Sequence, residues 1–251
     1  HPPAPRHHIG MDEGRPMSVY YSDDKVTIHH GDCREVLAGM GDMSVAAVLT
    51  DPPYGERTHG MAKTNKGKGH TKAVDFAAIS DDDLRRTLAE CGRVSQGWVV
   101  ATLAYQHAFT FDAEPPAGLR CLRLGVWVKT NPMPQISADR PGQGWESIAY
   151  MHRDDVKPAW NGGGKHGNYV LPVKQGEAHP TSKPLAMVGD WVEKFTQPGD
   201  TILDPWAGGG TTARAAIDLG RKVIVVEIQE RFCEVMAARL SQDVLDFGGI
   251  A

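Results

Sequence analysis

The chain has 251 residues, of which 41% are hydrophobic and 23% charged, and its formal net charge at pH 7 is −4. This composition excludes a disordered chain, and the net charge gives no overall reason to expect nucleic-acid binding. No apolar run approaches the roughly 18 residues that span a bilayer, and the four cysteines form no C-x-x-C pair. We therefore expect a cytoplasmic protein with no membrane partner, no disulfide framework and no metal site.

The first 17 residues differ from the rest of the chain in their sequence pattern. Residues 1–17 open with HPPAPRHHIG, which has little periodicity and two adjacent histidines. We interpret this stretch as a flexible leader or an expression-derived extension. Residues 18–251 are long enough to bury a full core, and we expect them to form a single domain.

Strand and helix patterns alternate along the first part of this domain. Residues 25–31 (KVTIHHG) predict a strand, residues 33–40 a short helix, and residues 45–51 (VAAVLTD) a strand buried on both faces. Ser80 and Asp83 form an S-x-x-D capping pattern before the helical stretch DDLRRTLAECGRV. GWVVATLA, LRLGVWVKT and ESIAYMHR predict three more strands, the last of them antiparallel to its neighbour.

The last third of the chain has the pattern of a β–loop–α–β–α unit. Residues 154–177 lack helical or strand periodicity, and we expect them to be irregular. Pro184 then begins a helix, followed by the strand DTILD, a helix that ends at Gly220, the strand KVIVVE and the helix ERFCEVMAARL. This alternation predicts an α/β fold with a doubly wound, mostly parallel sheet covered by helices on both faces.

The stretch TDPPYG, residues 50–55, directly follows a buried strand. Proline cannot donate to a sheet and biases the preceding residue toward extended geometry, so we expect the strand to end near Asp51. One interpretation is a strand-ending turn with a buried Tyr54. The other is a rigid pocket, in which the carboxylate of Asp51 and a proline carbonyl accept hydrogen bonds and Tyr54 offers a stacking face.

A basic stretch follows this corner. Residues 57–72 contain no acidic residue, are rich in glycine and show no apolar periodicity, which predicts a mobile loop over residues 56–73. The basic residues are Arg57, Lys63, Lys66, Lys68 and Lys72. The loop is either a solvated surface or a segment that closes over a phosphate backbone.

A second glycine-rich corner lies between the strand TILD and the helix near the C-terminus. In PWAGGGTTARAA, residues 205–216, no lysine precedes the threonine pair, which excludes a Walker A loop, and the spacing does not fit G-x-G-x-x-G. The next strand ends at Glu227, where an acid can accept both hydroxyls of a ribose. A packing-driven turn with a helix-capping glutamate is the alternative, but the two features together favour an adenosine-type cofactor.

Five motifs, HHGDCREVL, DPPY, WVKTNPMP, HPTSKP and DPWAGGGTT, occur in this order between residue 25 and about residue 240. Together they resemble the β-class S-adenosylmethionine-dependent DNA amino-methyltransferases, and WVKTNPMP resembles the cell-cycle-regulated adenine methyltransferase subgroup. The resemblance implies a circularly permuted Rossmann-like methyltransferase fold with an antiparallel strand, in which the catalytic motif precedes the cofactor loop. Trp206 stands where the family usually has Phe.

The resemblance also implies roles for individual residues. The catalytic set is Asp51, Pro52, Pro53 and Tyr54. The S-adenosylmethionine set is Asp32, Asp51, His179, Thr181, Ser182, Lys183, Asp204, Trp206, Ala207, Gly208, Gly210, Thr211, Thr212, Glu227 and Ile228. The DNA-binding set is Arg57, Lys63, Lys66, Lys68, Lys72, Lys129 and Asn131.

Within the cofactor set, the resemblance assigns separate parts of the cofactor. Asp32 would bind the adenine amino group and Glu227 the ribose. Thr181, Ser182 and Lys183 would hold the methionine carboxylate, for which hydroxyls and a cation are suitable partners. Ser182 would in addition cap the helix that follows it.

The implied function is methyl transfer to the N6 amino group of adenine in double-stranded DNA, by direct in-line attack on a flipped-out base. Relatives with Asp at the position of Asp51 are mostly adenine enzymes, whereas Ser there favours cytosine. N4-cytosine methylation and a non-catalytic cofactor-binding subunit remain the alternatives. The candidate target-recognition segment, residues 131–178, is short compared with many relatives, so a homodimer could help to grip DNA.

Overall fold

One mixed sheet organises the chain. The computed structural model describes residues 18–53, 79–135, 139–173 and 183–241. The strands are β1 (Ser18–Ser22), β2 (Val26–His30), β3 (Val45–Thr50), β4 (Ser95–Leu103), β5 (Leu119–Lys129), β6 (Trp145–Arg153), β7 (Tyr169–Leu171), β8 (Thr201–Asp204) and β9 (Lys222–Glu227). Their order in the sheet is β1-β2-β9-β8-β3-β4-β6-β5-β7.

Helices cover both faces of this sheet. They are α1 (Cys33–Gly39), α2 (Asp81–Val94), α3 (Tyr105–Ala113), α4 (Leu185–Phe195), α5 (Thr211–Asp218) and α6 (Glu230–Ser241). Apolar residues of α2 and α3 share one core cluster, and those of α4, α5 and α6 share another on the opposite face. None of the helices in the described part of the chain is both long enough and apolar enough to cross a membrane.

The position of β3 in the sheet explains why its sequence is apolar from Val45 to Leu49. Ala47 and Leu49 pack into the cluster beneath α4 and α5, whereas Val45 and Val48 pack into the cluster beneath α2. All four side chains are fully buried. A strand covered on both faces is apolar along most of its length, since burial of each large aliphatic side chain stabilises the fold by about 2 kcal/mol.

The five central strands, β2, β9, β8, β3 and β4, run parallel. The chain crosses from β3 to β4 in one direction along the sheet and from β8 to β9 in the other, so the winding reverses between β8 and β3. In open α/β sheets, ligands bind outside the carboxyl ends of the strands at this topological switch point. The prediction of a doubly wound, mostly parallel α/β sheet is confirmed.

The strand β6 is inserted between β4 and β5 and runs antiparallel to both, as predicted. Its reversed direction places its first residues, Trp145 and Glu146, at the edge where the parallel strands end. Glu146 is thereby paired with Trp127 near the end of β5. This edge therefore receives side chains from the start of one strand as well as from the ends of the others.

Most predicted elements are present, and three others were not predicted. The strand β1 lies at one edge of the sheet, and α3 follows β4. The expectation that residues 154–177 are entirely irregular was wrong, because Tyr169–Leu171 forms β7 beside β5. A three-residue strand is too short to display a periodicity of two, so its partner in the sheet determines it.

Candidate active site

Asp51 lies immediately after β3, at the switch point of the sheet. Its Oδ1 accepts a hydrogen bond from the Thr102 hydroxyl on β4, and its Oδ2 accepts one from Lys183 Nζ at 2.5 Å. The Asp51 side chain is 26% exposed, whereas that of Lys183 is only 6% exposed. Two elements other than β3 therefore orient the carboxylate, which remains accessible from the edge of the sheet.

Lys183 also contacts a second carboxylate. Its Nζ lies 3.3 Å from Glu146 Oε2, and Glu146 Oε1 lies 2.6 Å from Lys129 Nζ. The side chains of Glu146 and Lys129 are 14% and 19% exposed. Lys129, Glu146, Lys183 and Asp51 thus form a row of alternating charges across β5, β6 and β3, which we call the charge row.

The electrostatics of Asp51 reflect these neighbours. Burial raises the pKa of Asp51 above its ordinary value, because removal from water disfavours the charged form. The Lys183 ammonium opposes this effect and lowers the pKa, while the carboxylate of Glu146 raises it further. The pKa of Asp51 is therefore raised mainly by burial, and the two charged neighbours in the charge row shift it in opposite directions.

Asp204, the last residue of β8, connects this corner to the glycine turn. Its Oδ1 accepts hydrogen bonds from Thr50 Oγ1 at 2.7 Å and from the Trp206 backbone N–H at 3.1 Å. The Asp204 residue is 3% exposed, and burial raises the pKa of its carboxyl to about 6. The end of β3 and the start of the glycine turn are thus held together by one carboxylate.

The raised pKa of Asp204 predicts a pH-dependent contribution to stability. A buried carboxyl whose pKa is raised in the folded state destabilises the fold progressively as the pH rises from the pKa of the unfolded state to the pKa of the folded state. Relative to Asp204→Asn, the wild type should therefore lose roughly 2 kcal/mol of unfolding free energy between pH 4 and pH 7. Urea titrations at both pH values measure the unfolding free energies, and Asp24→Asn, at an exposed position, is the matched control. If the wild type and Asp204→Asn differ by the same amount at pH 4 and pH 7, the raised pKa of buried Asp204 is contradicted.

Glu227, the last residue of β9, anchors the glycine turn from the other side. Its Oε2 accepts a hydrogen bond from the Gly208 N–H at 2.9 Å, and its Oε1 accepts one from the Gln229 N–H at 2.8 Å. Glu227 is 5% exposed, and burial raises its pKa. Beside it, the apolar side chain of Ile228 is 63% exposed, at the same edge of the sheet.

Gly210 is the N-cap residue of α5 and has a left-handed backbone, at φ +80°. A Cβ at this position would lie 2.7 Å from Met236 Cγ in α6, so alanine would meet both backbone strain and a steric clash. Gly210→Ala should destabilise the fold by about 2 kcal/mol. Thermal unfolding measures this, with Gly189→Ala in α4 as the control, and an unchanged Tm would contradict it.

Asp32 lies at the start of α1, beside the end of β9. Its carboxylate caps the helix by accepting from the Arg34 N–H at 2.9 Å, and it also accepts from the Arg34 guanidinium. These hydrogen bonds lower the pKa of Asp32. The preceding Gly31 N–H donates to the Glu227 carbonyl at 3.1 Å. Asp32 therefore lies near Glu227, the residue predicted to bind the ribose.

Other predicted residues take part in contacts within the fold. The side chain of Asn131 makes two hydrogen bonds to the backbone of Val173, and Lys129 belongs to the charge row. Thr211 begins α5, while Ala207 and Thr212 are buried in the turn and helix. The remaining described candidates are Pro52, which is buried, and Pro53 and Trp206, which are half-buried.

Several predicted residues lie outside the described ranges. They are Tyr54, Arg57, Lys63, Lys66, Lys68, Lys72, His179, Thr181 and Ser182. Their roles remain expectations from the sequence.

Three polar residues at this edge were not among the sequence candidates. Thr50 and Thr102 donate to Asp204 and Asp51, and Glu146 pairs with both lysines of the charge row. Thr50 directly precedes Asp51, so its location beside the DPPY motif could be predicted from the sequence. Thr102 and Glu146 carry no motif, and only the strand order brings them to Asp51.

A doubly wound sheet whose switch point carries a glycine turn, a strand-end glutamate and a buried acidic corner defines a Rossmann-like protein with a nucleoside-type binding edge. Residues 157–239 match the N6_N4_Mtase family, described as DNA methylase. The chain is also 26% identical over 259 residues to the type II methyltransferase M2.DpnII of Streptococcus pneumoniae, covering 89% of this chain and 92% of that protein. These two matches support a DNA methyltransferase.

Solved structures share the fold. M1.HpyAVI, in a complex with SAM, superposes with a TM-score of 0.62 at 22% identity, covering 86% of this chain and 99% of that one. The PvuII DNA methyltransferase, which is cytosine-N4-specific, superposes with a TM-score of 0.66 at 13% identity, covering 92% and 90%. At these identities the likeness establishes a Rossmann-like fold common to DNA methyltransferases.

Proposed function

We propose that the chain transfers the methyl group of S-adenosylmethionine to the N6 amino group of adenine in double-stranded DNA, as a β-class enzyme. The observation that carries this proposal is the hydrogen bond between Thr50 and Asp204, at 2.7 Å. It joins the end of the DPPY strand to the glycine turn across the switch point. An acceptor carboxylate and a cofactor loop are thus adjacent, as direct transfer between two bound molecules requires.

The residues around the glycine turn suit S-adenosylmethionine, with which M1.HpyAVI was crystallised. The carboxylate of Glu227 can accept from both ribose hydroxyls. The exposed, apolar side chain of Ile228 offers a face to the adenine ring, and Asp32 lies nearby as an acceptor for its amino group. When bound, the cofactor supplies an electrophilic methyl group on a positively charged sulfur.

Methyl transfer to an exocyclic amine requires hydrogen-bond acceptors beside the target nitrogen. An exocyclic amine is a poor nucleophile, because its lone pair is delocalised into the base. Acceptors for both amine hydrogens shift the nitrogen toward sp3 geometry and orient its lone pair. Asp51 and the backbone carbonyl of Pro52 would provide them, and the rigid proline pair would keep them in place.

The partners of Asp51 support this role. Thr102 and Lys183 occupy one position on each carboxylate oxygen, and each oxygen has a second lone pair for the amine. The nearby ammonium favours the ionised form of Asp51, in which both oxygens accept. Lys183 would therefore act on the acceptor, in addition to any contact with the methionine carboxylate.

The DNA side of the proposal rests on the sequence. The target base must be flipped from the duplex to reach Asp51, and Tyr54 would stack on it. The basic loop at residues 56–73 would close over the phosphate backbone. A homodimer would enlarge the surface that contacts DNA. Sedimentation that shows a monomer on DNA at working concentration would contradict the proposed homodimer.

The second candidate is N4-cytosine methylation. It is favoured by the likeness to the cytosine-N4-specific PvuII enzyme, and the amines of the two bases demand the same acceptors. Asp51 at the first motif position favours adenine, as the family resemblance indicates. The choice is therefore a matter for product analysis.

The test is tritiated-methyl transfer from S-adenosylmethionine to unmethylated double-stranded DNA, followed by nucleoside digestion and mass spectrometry. Asp51→Ala is assayed in parallel. N6-methyladenosine from the wild type alone would support the proposal, whereas N4-methylcytosine would keep the mechanism and change the base. Cofactor binding without any methyl on DNA would contradict catalysis by the isolated chain and favour a non-catalytic subunit.

A further inference from the structure

Glu146 is the one member of the charge row that no sequence motif identified. It is the second residue of β6, and it reaches the site because β6 runs against its neighbours. Its Oε1 is 2.6 Å from Lys129 Nζ and its Oε2 is 3.3 Å from Lys183 Nζ. A carboxylate that is 14% exposed and held between two ammonium groups has a defined position.

The consequence for Asp51 follows from sharing Lys183. An ammonium that served Asp51 alone would hold its electron density strongly and weaken it as an acceptor for the substrate amine. Glu146 competes for the same ammonium, so the charge of ionised Asp51 is less fully neutralised and the pKa of Asp51 is higher than it would be with Lys183 alone. The competition is local, because Lys183 Nζ contacts both carboxylates at 2.5 and 3.3 Å.

Other groups face Asp51 from each neighbouring element. Thr102 donates from β4, Lys183 precedes α4, Glu146 lies on β6 and Asp204 terminates β8. Lys129, on β5, acts through Glu146. Among the charged groups, Lys183 and Glu146 have the largest effects on the ionisation of Asp51, with opposite signs.

We propose that Glu146 is a positioning residue for methyl transfer: it shares the Lys183 ammonium with Asp51 and thereby sets the acceptor strength of that carboxylate. This inference rests on the proposed function for its effect on rate. Its effect on the ionisation of Asp51 is independent of any activity.

The decisive variant is Glu146→Gln, which keeps the shape and removes the charge. Lys183 then pairs with Asp51 without competition from a carboxylate at position 146, so the pKa of Asp51 falls. Since activity requires ionised Asp51 and is lost as pH falls through this pKa, the acid limb of the kcat profile should move about 1 pH unit lower. At the pH optimum, kcat should fall about tenfold, with the KM values for cofactor and DNA changed less than about twofold.

Two further variants separate this role from a structural one. Glu146→Asp retains the charge at a shorter reach, so its acid limb should stay near that of the wild type even where its rate is reduced. Glu193→Gln, on the exposed face of α4, is the matched control and should change neither quantity. A purely structural role for Glu146 would lower the folded fraction and the Tm in both position-146 variants and leave the acid limb in place.

Carbon-13 NMR of aspartate-labelled protein, with the Asp51 carboxyl assigned by Asp51→Asn, measures the same pKa without catalysis. A lower pKa in Glu146→Gln supports the inference, and an unchanged pKa overturns it, whether or not the wild type methylates DNA. A wild type without methyl transfer would contradict the proposed function alone. An active wild type with kcat and acid limb unchanged in Glu146→Gln would contradict this inference alone.

Discussion

Asp51→Asn should lower kcat for methyl transfer at least about a thousandfold while leaving cofactor binding within about threefold of the wild type. An amide has one acceptor oxygen in place of two and carries no negative charge. Its oxygen can accept from Thr102 or lie near Lys183, but it cannot satisfy both and also accept strongly from the substrate amine. Although the family resemblance also includes Asp51 in the cofactor set, its proposed role is to accept from the base, so the effect should fall on the chemical step.

Single-turnover assays and calorimetric titration with S-adenosylmethionine separate the two quantities. Asp154→Asn, at an exposed position after β6, is the matched control and should retain full activity. The Asp51→Asn substitution leaves Lys183 beside Glu146, so the charge row keeps one of its acidic members and the fold should persist. A kcat within tenfold of the wild type would show that the Asp51 carboxylate is not the acceptor.

Glu227→Gln should weaken binding of S-adenosylmethionine about a hundredfold, with a smaller change in kcat at saturating cofactor. The carboxylate can accept from two ribose hydroxyls, whereas the amide presents one acceptor and one donor. The substitution also removes an acceptor from either the Gly208 or the Gln229 N–H, which loosens the turn that must approach the cofactor. Both effects act on binding in the ground state.

Isothermal titration calorimetry measures this affinity directly. Glu230→Gln, three residues further along the chain and exposed at the start of α6, is the matched control. If the affinity of Glu227→Gln equals that of the control, the ribose lies elsewhere and the glutamate serves the turn alone. If both variants bind weakly, the general negative charge of this edge is responsible.

The sequence predicted those helices and strands whose signals lie within their own residues and do not depend on distant parts of the chain. Buried strands such as β3 and β8 are recognisable as apolar runs, and α2 carries its own cap, in which the Ser80 side chain accepts from the Asp83 N–H at 3.1 Å. The helix α3 has no such start, because Ala104 makes no side-chain cap. Only Ala108 and Phe111 of α3 are buried, which is too few to produce a helical period.

The positions of the candidate site residues were predictable where a polar residue coincides with a strand end. Asp51, Asp204 and Glu227 all lie at the ends of parallel strands, and a glycine or proline corner follows two of them. Glu146 gave no comparable signal, since a glutamate at the start of a strand is ordinary in sequence. Its role depends on the antiparallel placement of β6 between β4 and β5, which is a property of the assembled sheet.

Trp160 illustrates the converse. It lies in the glycine-rich stretch WNGGGKHGNY, residues 160–169, whose sequence predicts only irregular structure. In the structure its ring centroid lies 5.9 Å from that of Phe195, and Lys194 Nζ lies over the ring at 5.7 Å. It anchors the segment before β7 against α4, which the local sequence did not reveal.

The pairing of β3 with β8 has a consequence for biosynthesis. Ala47 pairs with Ile202 and Val48 pairs with Leu203. During synthesis, β3 therefore cannot complete its pairing until β8, about 150 residues further along the chain, has been translated. The strand β2 likewise pairs with β9, which is the last along the chain of the strands that the structure describes. Contacts so distant along the chain fold slowly, and until they form the apolar edge of β3 is open to other nascent chains. On the ribosome, the two corners of the site can meet only after nearly the whole chain has been synthesised.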